Sequence, residues 1–139
     1  EEARFGTPRH LWLQAEDRVR FRKYLRIARH LSRNPPNSKQ HIVVCAAFTG
    51  STLCGFRLNT DVVHAEIRAM DAWPEADRLV VYRFNAADSE RNERPSCSCF
   101  KCCPKIRGSK VTRVEYLSPL GPVCVKVEKL QPYNGKDRK

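Results

Sequence analysis

Apolar side chains recur at three- and four-residue steps from Asp17 to Leu31, at Phe21, Tyr24, Leu25, Ala28 and Leu31, and predict an amphipathic helix. Its other faces carry Arg18, Arg20, Arg22, Lys23, Arg26 and Arg29, a basic surface that is either merely solvated or tracks phosphates. Asn34-Pro35-Pro36-Asn37 ends this helix. His41 to Phe48 is an apolar strand, Thr49-Gly50-Ser51 a turn, and Thr52 to Leu58 the partner strand of a hairpin. Asn59-Thr60-Asp61 lead into a second helix that holds His64, with Thr60 or Asp61 as its N-cap and Ile67, Ala69 and Met70 on its buried side. Trp73-Pro74 ends it. Arg78 to Phe84 shows little alternation, as expected of a central strand covered on both faces. Residues 85–96 are a polar loop. A third helix is expected from about Cys99 to Arg107, stopped by Gly108. Val111 to Leu117 is a fourth strand. Ser118 to Pro122 is too short for a crossover helix, so Val123 to Leu130 should run antiparallel to the fourth strand.

The order is helix, hairpin, helix, strand, helix, hairpin. It predicts an α/β fold with a five-stranded mixed sheet, helices on its faces, and the last two strands antiparallel. A chain of 139 residues suits one domain over 1–139, with residues 1–16 as an N-terminal extension and 131–139 as a basic tail. In the extension, Leu11, Trp12 and Leu13 are placed to dock on the domain. A chain that begins at Glu1 and not at Met is expected to be trimmed or cut from a larger protein. No apolar run approaches a membrane span, so no membrane partner is expected. The net charge of +11 makes a polyanion, above all a nucleic acid, the natural partner.

Seven cysteines, four of them between Cys97 and Cys103, favour a metal over disulfides. Thiolate ligation suits a reducing compartment, so the cytoplasm or nucleus is expected, or a toxin domain delivered into a target cell. His64 offers an imidazole. Cys99 and Cys102, three residues apart, share one face of a helix. Three protein ligands leave zinc an open position for water, the pattern of a catalytic site. Glu66, two residues past His64, can reach that water without binding the metal. Cys97 is an alternative to Cys99. Cys45, Cys54 and Cys124 fall in strands and are most simply core residues.

His64-Ala65-Glu66 followed by Cys99-Phe100-Lys101-Cys102 resembles the signature of the zinc-dependent cytidine deaminase superfamily, His-x-Glu and Pro-Cys-x-x-Cys. The resemblance covers roughly residues 20 to 130, with Ser109 to Tyr116 at the position of the family's next strand. Ser98 stands where the family has proline, and Pro95 is the nearest one. The resemblance implies a three-layer α/β/α cytidine deaminase-like fold. It implies zinc on His64, Cys99 and Cys102, with Glu66 as proton shuttle. It also implies a sugar contact for Asn59. An antiparallel last strand pair looks more like the free cytidine deaminases and the deaminase toxins than like the editing enzymes.

The expected reaction is hydrolysis of cytosine to uracil in single-stranded DNA or RNA. Phe100, Phe56 and Phe84 are candidates to stack on the base. Arg83, Arg91 and Arg94, with Lys101, are candidates to hold flanking phosphates. The alternatives are a free cytidine or deoxycytidine nucleoside or nucleotide deaminase, and an adenine deaminase acting on nucleic acid. A non-enzymatic zinc module that binds nucleic acid is a different class, and it has no need of Glu66.

Overall fold

The computed structural model describes residues 13–96, 102–119 and 121–127, with the backbone alone at 102–104. The elements run α1 (Ala15–Leu31), β1 (His41–Thr49), β2 (Thr52–Leu58), α2 (Ala65–Ala72), β3 (Arg78–Asn85), α3 (Cys102–Arg107), β4 (Arg113–Ser118) and β5 (Gly121–Lys126). One mixed sheet holds all five strands in the order β2-β1-β3-β4-β5. β3 and β4 are parallel, and the other neighbours are antiparallel. The expected antiparallel ending is present, because β4 and β5 are joined by a connection too short to cross over.

Alternate residues of the two central strands feed two cores. Cys45, Ala47, Leu79 and Val81 point to one face, where Ala65, Ala69 and Met70 of α2 and Ile106 of α3 cover them. Ile42, Val44, Phe48, Val80, Tyr82 and Phe84 point to the other, under Phe21 and Ala28 of α1. Covering on both faces explains why β1 and β3 read as nearly unbroken apolar runs. Leu13, in the predicted extension, is buried in the α1-side core, and its N–H donates to the Pro122 carbonyl at 3.2 Å.

The α1 basic face divides into two groups. Arg20 turns inward and pairs with Glu115 of β4, a fully buried carboxylate that also accepts from Arg78 at 2.7 Å. A lone buried carboxylate is costly, and two guanidinium partners offset that cost. Arg29, and Arg33 just past the helix end, donate to the carbonyls of Arg91 and Ser89 at 3.0 and 2.9 Å. Arg18, Arg22 and Arg26 stay exposed.

Several boundaries differ from expectation: α1 starts two residues early at Ala15 and β5 two early at Gly121, β3 and β4 each run one residue further, and the starts of α2 and β4 move inward. α2 starts at Ala65 with His64 as N-cap, not Thr60 or Asp61. The reason is local: Thr60 Oγ1 accepts the N–H groups of Val63 and Val62, at 2.9 and 3.3 Å, closing a turn of its own. Asp61 is drawn away to the Ser38 N–H at 2.8 Å. β4 starts at Arg113, because the Thr112 N–H turns to the Asp77 carbonyl at 2.9 Å. Residues 128–139, including the expected end of β5 and the basic tail, lie outside the described residues, as do 97–101.

Candidate functional site

Strand directions fix where the helices begin. β2 and β3 are both antiparallel to β1, so they point the same way, and β4 follows β3. α2 joins β2 to β3, and α3 lies between β3 and β4. Each helix therefore runs back against its strands. Both begin at the sheet edge where β2 and β3 end. They share one face and pack on each other, with Lys105 of α3 and Asp71 of α2 at 3.6 Å. His64 and the backbone of Cys102 thus stand at one edge of one face, although 38 positions separate them in sequence.

The turn at Thr60–Val63 delivers His64 to the start of α2. The His64 carbonyl accepts the first helical bond, from Arg68 N–H at 3.1 Å. Arg68 Nη1 also donates to the Leu58 carbonyl at 2.7 Å, tying the helix to the end of β2. The His64 imidazole makes no capping bond, so its side chain is not there to close the helix. Glu66 lies in the first turn with 3% of its surface exposed. Burying a carboxylate there is eased by the partial positive charge of the helix N-terminus.

Asn59 is committed to the backbone at this edge. Its Oδ1 accepts the Val43 N–H at 2.9 Å, and its Nδ2 donates to the His41 carbonyl at 3.1 Å. The carboxamide so continues the β1 ladder past the end of β2. The sugar contact that the resemblance implied would have to compete with these bonds. Arg91 likewise works within the loop. It sits at φ 54° and donates to the carbonyls of Ala86 and Asp88 at 3.0 and 2.8 Å. Those bonds hold the turn that its positive φ demands, and they occupy the guanidinium expected to meet phosphate.

Arg83 and Arg94 are placed otherwise. Arg94 forms an antiparallel bridge opposite Arg83, its N–H donating to the Arg83 carbonyl at 2.9 Å. Directly opposed residues project to the same face, and Arg83, two positions past Val81, is on the face of α2 and α3. Arg83 Nη2 lies 3.0 Å from His41 Nδ1. Burial, and then the charges of Arg83 and Arg94, lower the His41 pKa.

Phe84 is fully buried in the α1-side core, and Phe56 packs against that same core. Both are structural, on the face away from His64. Cys97, Cys99, Phe100 and Lys101 lie outside the described residues, as do the side chains of Cys102 and Cys103. Among the described residues no three His, Cys, Asp or Glu side chains gather as a metal would need. No described helix is long and apolar enough to cross a membrane. An open groove lined by Arg107, Ser109, Val111, Thr112 and Val127 lies at the far end of α3, away from these groups.

Sequence reasoning missed two residues. His41 read only as the start of a strand, since nothing along the chain announces that β3 will bring Arg83 beside it. Glu93 read as part of a polar loop. It lies in the bridge segment next to Arg94 and projects to the α1 face, where burial pushes its carboxyl up to about 8 against the pull of Arg29. Comparison with family models, curated proteins and solved structures finds no match to this chain.

Proposed function

We propose that the protein is a zinc-dependent deaminase that hydrolyses cytosine to uracil in single-stranded DNA or RNA, on a three-layer cytidine deaminase-like fold. The observation that supports this reading is the shared end of the sheet: α2 and α3 lie on one face and both begin at the end where β2 and β3 finish, so His64, Glu66 and the backbone of Cys102 start from the same side of the sheet. A His-x-Glu sequence on one helix and a Cys-x-x-Cys sequence entering the other make the donor set that zinc favours. His64, Cys99 and Cys102 would hold the metal. Bound there, zinc supplies an activated water at neutral pH. Glu66 would take a proton from that water and pass protons to the ring nitrogen and the departing ammonia. Its burial removes competing solvent, and its seat in the first turn keeps it beside His64. Among the described residues Arg83 and Arg94 are cations at this edge available to a polynucleotide, while Asn59 and Arg91 hold the frame.

The test is incubation with single-stranded DNA, duplex DNA, RNA and free cytidine, each assayed for uracil and inosine, with zinc measured by elemental analysis. The expected result is about one zinc per chain and uracil in a single-stranded polymer, with turnover lower by about 10² to 10⁴ in Glu66→Ala while zinc is retained. An active Glu66→Ala protein, or wild type without zinc, would overturn the reading. A better rate on cytidine than on any oligonucleotide would move the substrate to the free nucleoside.

A further inference from the structure

We propose that His41, Arg83 and Arg94 form one site for a phosphodiester, set at the edge where α2 begins. Three basic groups from three separate segments meet there: the first residue of β1, the end of β3, and the segment bridged to β3. Neither arginine has an ion pair among the described residues. The nearby acids are otherwise occupied. Asp88 accepts the N–H groups of Glu90 and Asn92, both at 3.0 Å, and these backbone donors chiefly lower its pKa; the Arg94 charge adds to that from a distance, without an ion pair. Glu93 projects to the opposite face. Like charges brought together cost free energy, and an anion bound between them reverses the sign of that cost.

The hydrogen-bond chemistry suits phosphate. A guanidinium has only donors, so His41 Nδ1 must accept from Arg83, which leaves the neutral ring its proton on Nε2. The remaining guanidinium N–H groups and the Nε2–H are then all donors, a set that matches phosphate oxygens and offers nothing to a cation. Arg83 and Arg94 are the charged groups acting on His41. A bound phosphodiester would offset them and favour imidazolium, whose new Nδ1–H gives up the bond from Arg83 and donates to phosphate instead, so binding should take up a proton and strengthen as pH falls through the His41 range. Assigning this phosphate to a nucleic-acid substrate rests on the deaminase reading, whereas the binding itself does not.

The experiment titrates the full chain with a dithymidine phosphodiester, and with thymidine as the phosphate-free control, following backbone and imidazole shifts by NMR. The expected result is saturable shifts at His41, Arg83 and Arg94 for the phosphodiester alone. Affinity should fall at least tenfold in Arg83→Gln/Arg94→Gln, and several-fold in Arg94→Gln alone, an exposed position that does not threaten folding. Arg22→Gln/Arg26→Gln, on the other face, should bind as wild type. His41→Gln should bind without the pH response. Equal losses from the α1 pair would mean diffuse charge attraction, and would overturn the site. So would saturation by thymidine, absence of binding, or a pH response that survives His41→Gln. Phosphodiester binding without uracil formation would leave this site standing and remove the deaminase reading. Uracil formation without such binding would do the reverse.

Discussion

Asn59 Oδ1 accepts the backbone N–H of Val43 at 2.9 Å, so a side chain closes the sheet where β2 has already ended. The same carboxamide also receives Asn37 Nδ2 at 3.2 Å and donates to the His41 carbonyl. These bonds stand under the turn that presents His64. Asn59→Ala should therefore lose stability, by about 1–3 kcal/mol for backbone groups left unpaired. Urea unfolding measures this. An unchanged midpoint would show that these bonds contribute nothing and would return Asn59 to a purely substrate-facing task.

A second prediction concerns how α2 is seated. A Cβ built on Gly55 of β2 would lie 2.6 Å from the Trp73 ring, at the C-cap of α2. Arg57 stacks on that ring, 4.4 Å from its centre. Gly55→Ala must push Trp73 aside and tilt α2 on the sheet, at a cost of about 1–3 kcal/mol typical of overpacking. Thermal unfolding and tryptophan fluorescence are the readouts. A variant with wild-type melting and an unchanged spectrum would contradict the packing described.

A third prediction follows from Glu93, whose carboxyl is raised by burial from an ordinary 4.5 to about 8. A carboxyl whose folded pKa is raised binds its proton more tightly folded than unfolded. Its stabilisation is present in full below the unfolded pKa and is lost as pH rises toward the folded value. Stability should fall between about pH 4.5 and 8, with a slope of up to about 1.4 kcal/mol per pH unit from this group, and level off above. Glu93→Gln should flatten that slope and be the more stable form at pH 8. Chemical denaturation across pH decides it, and identical slopes in the two proteins would refute the assignment.

Local pattern was enough to define most elements. The three-to-four periodicity of Phe21, Tyr24, Leu25, Ala28 and Leu31 marked α1, and the run from His41 marked β1, because burial on a face leaves its period in the chain. The short link after Ser118 determined the antiparallel final pair, since few residues cannot carry the chain back across a sheet. That α2 and α3 begin at the same end of the sheet follows from the strand directions, which the order of elements alone does not state. Tertiary structure decided what each basic side chain does. Arg20, Arg29 and Arg91 look alike in sequence to Arg22, Arg26 and Arg94. Arg20 is drawn to Glu115, Arg29 to the Arg91 carbonyl and Arg91 to the Ser32 carbonyl, all far away along the chain. His41 acquires its meaning from the β1–β3 register, which sets Val43 against Arg83 and His41 against Asn85. A charge acts through distance in space, and sequence fixes distance only within a turn of helix or a stretch of strand.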